Sequence, residues 1–186
     1  NSVAQVTVRG YCSPMKRDAH SQLVTWKSSL GRKPLLMRGA RQTGKTYLLQ
    51  AFGREEYVAT HYFNFEKTPD LAGFFERDLD PLRIVDELST FSGRKIEADN
   101  SLIIFDEIQA CNAALNSLKY FQEDAGQYHV AAAGSLLGVV LSSPRSFPVG
   151  KVDFVDLFPM TFFEFLDAVG ASRYRHVVEE HPDPDP

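Results

Sequence analysis

The sequence predicts an α/β fold, with a largely parallel sheet covered by helices on both faces. Three observations carry that expectation. Short apolar or β-branched runs alternate along the chain with segments of helical periodicity. A glycine-bearing loop over residues 39–46 joins the first such run to a helical segment. The run Leu102-Ile103-Ile104-Phe105 is apolar throughout, as a strand buried on both faces is, and it ends in two carboxylates.

Taken in order, residues 1–14 read as an N-terminal extension with a short Val-rich stretch (Val3, Val6, Val8). Residues 16–30 read as an amphipathic helix, with Ala19, Leu23, Trp26 and Leu30 at helical spacing and Gly31 ending it. Pro34 opens a short strand, Leu35-Leu36-Met37. After the glycine loop, Lys45 to Phe52 reads as a helix closed by Gly53. Residues 57–65 are β-branched and aromatic, hence a strand. Residues 70–92 are helical in two pieces broken at Pro81. The apolar run 102–105, bounded by Asn100 and Asp106, is the next strand. Leu115, Leu118 and Phe121 mark a helix starting near Asn112. His129 to Ala133 is a strand ending at Gly134-Ser135, and Val152 to Leu157 is the last strand. Thr161-x-x-Glu164 is a capping box that opens a helix reaching Val169. Residues 171–186 read as a disordered tail, Pro-rich and acidic at His181–Pro186. In such a fold, ligands are expected at the carboxyl ends of the strands.

Composition narrows the class. The 186 residues are 44% hydrophobic and 24% charged, which excludes a disordered, collagen-like or coiled-coil chain. A chain this long buries roughly 70% of its unfolded surface and needs neither disulfide nor metal to fold. Its two cysteines, Cys12 and Cys111, make no disulfide framework, so a reducing compartment and a cytoplasmic location are expected. No membrane role is expected either. The longest near-apolar run, Val130 to Leu141, falls well short of the roughly 20 residues that span a bilayer, and residues 1–14 hold no secretory signal. The chain opens on Asn1 rather than Met, so a processed or incomplete amino terminus is expected.

The net charge of −4 argues against generic nucleic-acid binding, but it hides an asymmetry. Residues 1–54 hold ten Lys/Arg and a single acidic residue, Asp18, while residues 55–186 carry a net charge of −13. A basic first third points to an anionic ligand there.

The sharpest motif is Gly39-Ala40-Arg41-Gln42-Thr43-Gly44-Lys45-Thr46, which matches G-x-x-x-x-G-K-[ST] between a predicted strand and a predicted helix. The glycines let the loop turn its N–H groups inward around an anion, and the following helix adds its positive end. Lys45 reaches the β- and γ-phosphates in this arrangement, and the Thr46 hydroxyl binds Mg²⁺. The nucleotide-binding set is therefore Gly39, Ala40, Arg41, Gln42, Thr43, Gly44, Lys45, Thr46 and Tyr47.

Asp106 and Glu107 end the 102–105 strand, 61 residues after Lys45. Phosphoryl transfer needs one carboxylate near the metal and a second beside the attacking water. Asp106 is thus the metal candidate with Thr46, and Glu107 is the candidate base. Ser135 ends the next strand, where it either contacts the γ-phosphate or caps the following helix. The sequence leaves both roles open. Asn64 and Glu66 end the second strand and could approach the same site, although a plain strand terminus is the stronger reading, and Gln109 reads equally as a water-positioning group or a surface turn. The five histidines show no metal spacing. Six of the 14 Phe fall between Phe147 and Phe165, either as ordinary core or as a surface that packs on something outside the chain.

Residues of about 16–170 resemble the AAA-type P-loop ATPase domain of a large, poorly characterised bacterial and archaeal family. The resemblance rests on Arg32-Lys33-Pro34-Leu35-Leu36, on Arg38 to Thr46, on Phe105-Asp106-Glu107-Ile108-Gln109, on Ala132 to Gly138 and on Phe147 to Val152, in that order. It implies a P-loop NTPase three-layer sandwich with five parallel strands in the order 5-1-4-3-2. It also implies a domain over residues 15–170, Asp106-Glu107 as the Walker B pair, Ser135 as sensor, and catalytic roles for Lys45, Glu107 and Ser135 with ATP and Mg²⁺. Members of this family usually continue into a C-terminal domain of unknown function, so the chain is expected to be the N-terminal part of a larger protein. Such a domain, or a protein partner, would pack near Phe154–Phe165.

No arginine sits in a diagnostic finger motif. Arg145, Arg173 and Arg175 follow the fourth strand. A finger missing or supplied in trans is worth about 10³–10⁵ in rate. The chain is therefore expected to bind nucleotide and hydrolyse it slowly alone, with a homo-oligomer as one source of the finger. The rival expectation is a nucleotide-binding switch with little or no hydrolysis. A phosphotransferase fits poorly, because that class excludes the water that Glu107 would activate. The absence of an N-K-x-D motif favours ATP over GTP. The Lys/Arg excess near the loop leaves DNA as a second anion to be tested by salt-dependent retention.

Overall fold

The computed structural model describes residues 17–134 and 150–174. The described residues divide into two compact units, a larger one within residues 19–159 and a smaller one that includes residues 17–18 and 160–174.

The larger unit is an α/β sandwich. Its helices are α1 (Ala19–Ser28), α2 (Lys45–Glu56), α3 (Gly73–Glu76), α4 (Pro81–Ser92) and α5 (Asn112–Asp124), and its strands are β1 (Leu35–Arg38), β2 (Ala59–Asn64), β3 (Ser101–Asp106), β4 (His129–Gly134) and β5 (Asp153–Asp156). Short 3₁₀ turns cover Pro69–Ala72 and Ile108–Ala110. The five strands form one sheet in the order β2-β3-β4-β1-β5, and every pairing is parallel. This is the 5-1-4-3-2 order expected from the sequence, read from the other edge.

Alternation along each central strand divides the core in two. Ile103, Phe105, Val130, Ala132 and Leu36 face α4 and α5 in one apolar cluster. Leu102, Ile104, Ala131, Ala133, Leu35 and Met37 face α1 and α2 in the other. All six residues of β3 are buried, which explains why its sequence lacks a polar face.

Several boundaries differ from the sequence reading. Helix α1 stops at Ser28, so Leu30 lies beyond it and is fully exposed; the exit is fixed by the Trp26 indole, which donates to the Lys33 carbonyl at 2.7 Å. Helix α2 does not end at Gly53 but runs through it to Glu56. Gly53 is there for space: a Cβ at this position would stand 2.4 Å from Thr60 Oγ1 and 2.8 Å from Thr60 Cγ2 on β2. The break at Pro81 is where the sequence puts it. Asp80 caps α4 through the Leu82 N–H, and the piece before it is only a 3₁₀ turn and one turn of α3.

In the smaller unit, α6 (Phe162–Ala168) begins with the expected capping box. Thr161 Oγ1 accepts from Glu164 N, and Glu164 Oε2 accepts from Thr161 N at 2.8 Å. Glu164 Oε1 accepts from Arg17 Nε at 3.0 Å and from Asp18 N at 2.9 Å. Burial alone would raise the Glu164 pKa, but these N–H donors and the guanidinium hold it below the usual carboxylate value.

Candidate functional site

Strand β1 delivers the chain into the 39–44 loop. A Cβ on Gly39 would lie 2.3 Å from the Leu157 carbonyl oxygen, so no larger residue fits beside the end of β5. Gln42 and Gly44 adopt left-handed angles (φ 62° and 91°), which curl the loop, and Thr43 Oγ1 ties it by donating to the Ala40 carbonyl at 2.9 Å. Helix α2 then starts at Lys45 with no side-chain cap, so its first N–H groups remain available to an anion.

The Lys45 side chain is buried. Its Nζ donates to the Gly39 and Ala40 carbonyls at 2.9 and 2.6 Å. Burial lowers its pKa, while Glu107 and Asp106 nearby oppose that shift. The ammonium is held inside the loop, where phosphate oxygens can replace the carbonyls as its partners.

Asp106, at the end of β3, is 3% exposed. Its Oδ2 accepts from Tyr62 Oη at 2.7 Å, from Thr46 Oγ1 at 2.9 Å and from Asn64 Nδ2 at 3.3 Å, and its Oδ1 accepts from Glu107 N at 3.1 Å. The β2–β3 register places Asn64 beside Asp106 and Tyr62 beside Ile104, so all three polar groups rise from one face of the sheet. Burial, and then the hydrogen bond to Asp106, push the Tyr62 phenol up to about 12, which keeps it a donor. Asn64 is braced in turn by the Lys67 N–H on its Oδ1 at 2.7 Å.

Glu107 has left-handed backbone angles (φ 50°, ψ 43°) and caps the 3₁₀ turn that follows. Its Oε2 accepts from Gln109 Nε2 at 2.5 Å. Arg41, Gln42, Gly44, Lys45, Thr46, Tyr47, Glu66 and Glu107 together line a cleft of about 460 Å³ at the carboxyl end of the sheet. A groove between α1 and β5 is also present, but the only ionisable group among its lining residues is the acidic Asp153, and no cationic side chain lines it to attract an anion.

Thr46 and Asp106 offer one hydroxyl and one carboxylate, hard oxygen donors at mutual hydrogen-bond distance. That set suits Mg²⁺, which takes one or two protein oxygens and fills its remaining positions with phosphate and water. Among the described residues no group of three or more His, Cys, Asp or Glu could hold a metal unaided.

The sequence matches the AAA domain family over residues 31–166, most of its length. The chain belongs to that family. It is an AAA-type P-loop ATPase domain, and solved structures share its fold. One is the Walker-type ATPase PABY2304 of Pyrococcus abyssi, at 16% identity and a TM-score of 0.53 over 92% of this chain and 60% of that one. Another is the Aeropyrum pernix ORC1 protein, solved in complex with DNA, at 17% identity and a TM-score of 0.52 over 90% of this chain and 52% of that one. The chain thus spans little more than half the length of either. No curated protein matches it.

Within this AAA domain the loop residues, Asp106 and Glu107 lie together at the carboxyl end of the sheet. Ser135, Arg145, Phe147 and Arg175 lie outside the described residues. Arg173 is described, and its guanidinium donates to Tyr174 Oη at 3.0 Å. Asn64 and Glu66 are not a plain strand terminus, since one bonds Asp106 and the other lines the cleft. Gln109 lies half-buried in the 3₁₀ turn after β3 with its amide on Glu107, and Tyr62 is a neighbour of the site that the sequence reading does not include. The usable signal was period-two spacing, which puts Tyr62 and Asn64 on one face of β2. The ordinary-core reading of the late phenylalanines also fails: Phe154, Phe158, Phe162 and Phe165 are all exposed. No helix among the described residues is long and apolar enough to cross a membrane.

Proposed function

We propose that this AAA domain binds ATP with Mg²⁺ and hydrolyses it, slowly when alone, as the N-terminal part of a larger protein. The observation that carries the proposal is the convergence of the Lys45 ammonium, the Thr46–Asp106 pair and the Glu107 carboxylate on one cleft. The loop amides and the start of α2 cradle the phosphates. Lys45 exchanges its loop carbonyls for phosphate oxygens, and Thr46 and Asp106 hold the metal. Mg²⁺, when bound, neutralises charge on the phosphate oxygens as it builds. Glu107 takes a proton from the attacking water. The water oxygen bonds to the γ-phosphorus, the bond to the β,γ-bridging oxygen breaks, and ADP and phosphate leave. Ser135 is assigned to sensing the γ-phosphate, and the base is adenine.

The arginine that stabilises the transition state comes from a second copy or from a partner. The exposed Phe154 and Phe158 of the larger unit, and the exposed Phe162 and Phe165 of the smaller one, each support packing by a further domain or a protein partner. A DNA partner, such as the ORC1 protein has in its solved complex, receives no support from the net charge of −4.

Calorimetry with ATP, with and without Mg²⁺, tests binding, and turnover measured against protein concentration tests the need for a second copy. Glu107→Gln is expected to keep nucleotide and lose turnover. Tight binding without turnover at any concentration would make the domain a nucleotide switch instead. No heat with ATP or GTP would end both readings.

A further inference from the structure

We propose that Gln109 is a positioning residue that fixes the carboxylate of Glu107 for its work as base. The proposal rests on the reading of Glu107 given above. Strand β3 ends at Asp106, and the chain turns at once. Glu107 adopts left-handed angles, and Ile108–Ala110 forms a single 3₁₀ turn closed by the Ala110 N–H on the Glu107 carbonyl at 2.9 Å and anchored by the fully buried Ile108. That reversal lays the Gln109 side chain back along Glu107, with Nε2 2.5 Å from Oε2.

The orientation of the amide is fixed by chemistry. An ionised carboxylate only accepts, so Gln109 must present its NH₂ group to it. Among the described residues no other side chain donates to the Glu107 carboxylate. The far end of the same amide, Gln109 Oε1, is buried with no partner among them.

Two local costs therefore meet at one pair of side chains. A non-glycine residue sits in the left-handed region, and an amide oxygen is buried unsatisfied. A solvated acid at a strand end needs neither, since its neighbour could turn its amide to water. Both costs have a return if the carboxylate must keep one direction. Outliers of this kind collect where a side chain is held for chemistry. Glu107 also lines the cleft with Lys45 and Thr46, so the direction Gln109 enforces is set relative to the phosphate loop.

The test compares wild type, Gln109→Met, Gln109→Glu and Glu107→Gln in the full chain. Met keeps the length and bulk of Gln and removes the donor. Glu keeps the shape and replaces the donor with a second acceptor. Three quantities are read: ATP affinity by calorimetry with Mg²⁺, thermal midpoint, and the single-turnover rate with protein in excess. Gln109→Met is expected to leave affinity within about 2-fold and the midpoint unchanged while the rate falls about 10- to 100-fold, part of the effect of losing the base itself. Gln109→Glu is expected to fall at least as far. A wild-type rate in Gln109→Met, with Glu107→Gln inactive, overturns the role of Gln109 and leaves Glu107 standing. Affinity, midpoint and rate falling together in both Gln109 variants would make the residue a structural brace and overturn the proposal too. A wild-type rate in Glu107→Gln removes the base, and the positioning role with it.

Discussion

The Thr46 hydroxyl donates to Asp106 Oδ2 at 2.9 Å, although sixty residues separate the two in sequence. The contact joins the first turn of α2 to the end of β3 and brings together the two oxygen donors that suit Mg²⁺. Because Thr46 lies in the phosphate loop, metal and triphosphate should bind as one event.

Thr46→Ala makes that coupling measurable. Wild type should bind ATP more tightly in Mg²⁺ than in EDTA. The variant should lose most of that gain while matching wild type in EDTA, since the loop amides and Lys45 are untouched. Calorimetry under both conditions checks it, and an undiminished Mg²⁺ effect in the variant would take Thr46 out of the metal site.

Gly53→Ala is expected to be destabilising, against the usual preference. In an ordinary helix interior Ala gains about 1 kcal/mol over Gly. Here three Thr60 side-chain atoms lie within 3.2 Å of the new methyl position. Overpacking of that kind costs about 1–3 kcal/mol. Chemical denaturation should show the loss, and Thr60→Ala in the same chain should recover most of it.

His129 should make stability depend on pH. It is buried at the start of β4 with Tyr57 Oη 2.7 Å from Nδ1, and burial, together with the nearby Arg32 charge, lowers its pKa to about 4. The unfolded chain therefore binds a proton near pH 6.5 that the folded one refuses. The contribution is complete above pH 6.5 and is lost as pH falls towards 4. It amounts to about 2 kcal/mol between pH 7.5 and pH 5. Urea unfolding at the two values should show a smaller drop for His129→Gln than for wild type. Equal drops would mean that other groups set the dependence.

The sequence made the phosphate loop, Asp106 and Glu107 legible because their chemistry is written in short fixed spacings next to a strand. The sheet order became legible through the resemblance that those motifs carry. What stayed hidden depends on distance in sequence. Tyr62 reaches Asp106 only because β2 pairs with β3 in one particular register, and no local pattern states that register. Gly53 was misread because a glycine that stops a helix and one that lets a helix touch a strand look alike in a string of letters. The late phenylalanines stayed open between two readings for a related reason: aromatic density reports apolar area and not its direction, and at Phe154, Phe158, Phe162 and Phe165 that area is exposed.

Among the described residues, two of the three groups that hold Asp106 Oδ2 come from β2, whose one neighbour in the sheet is β3. Marginal strands detach earlier than interior ones when a sheet loosens. The carboxylate at the heart of the domain thus borrows its stiffness from the rim, and whatever grips or frees that rim sets how firmly the heart is held.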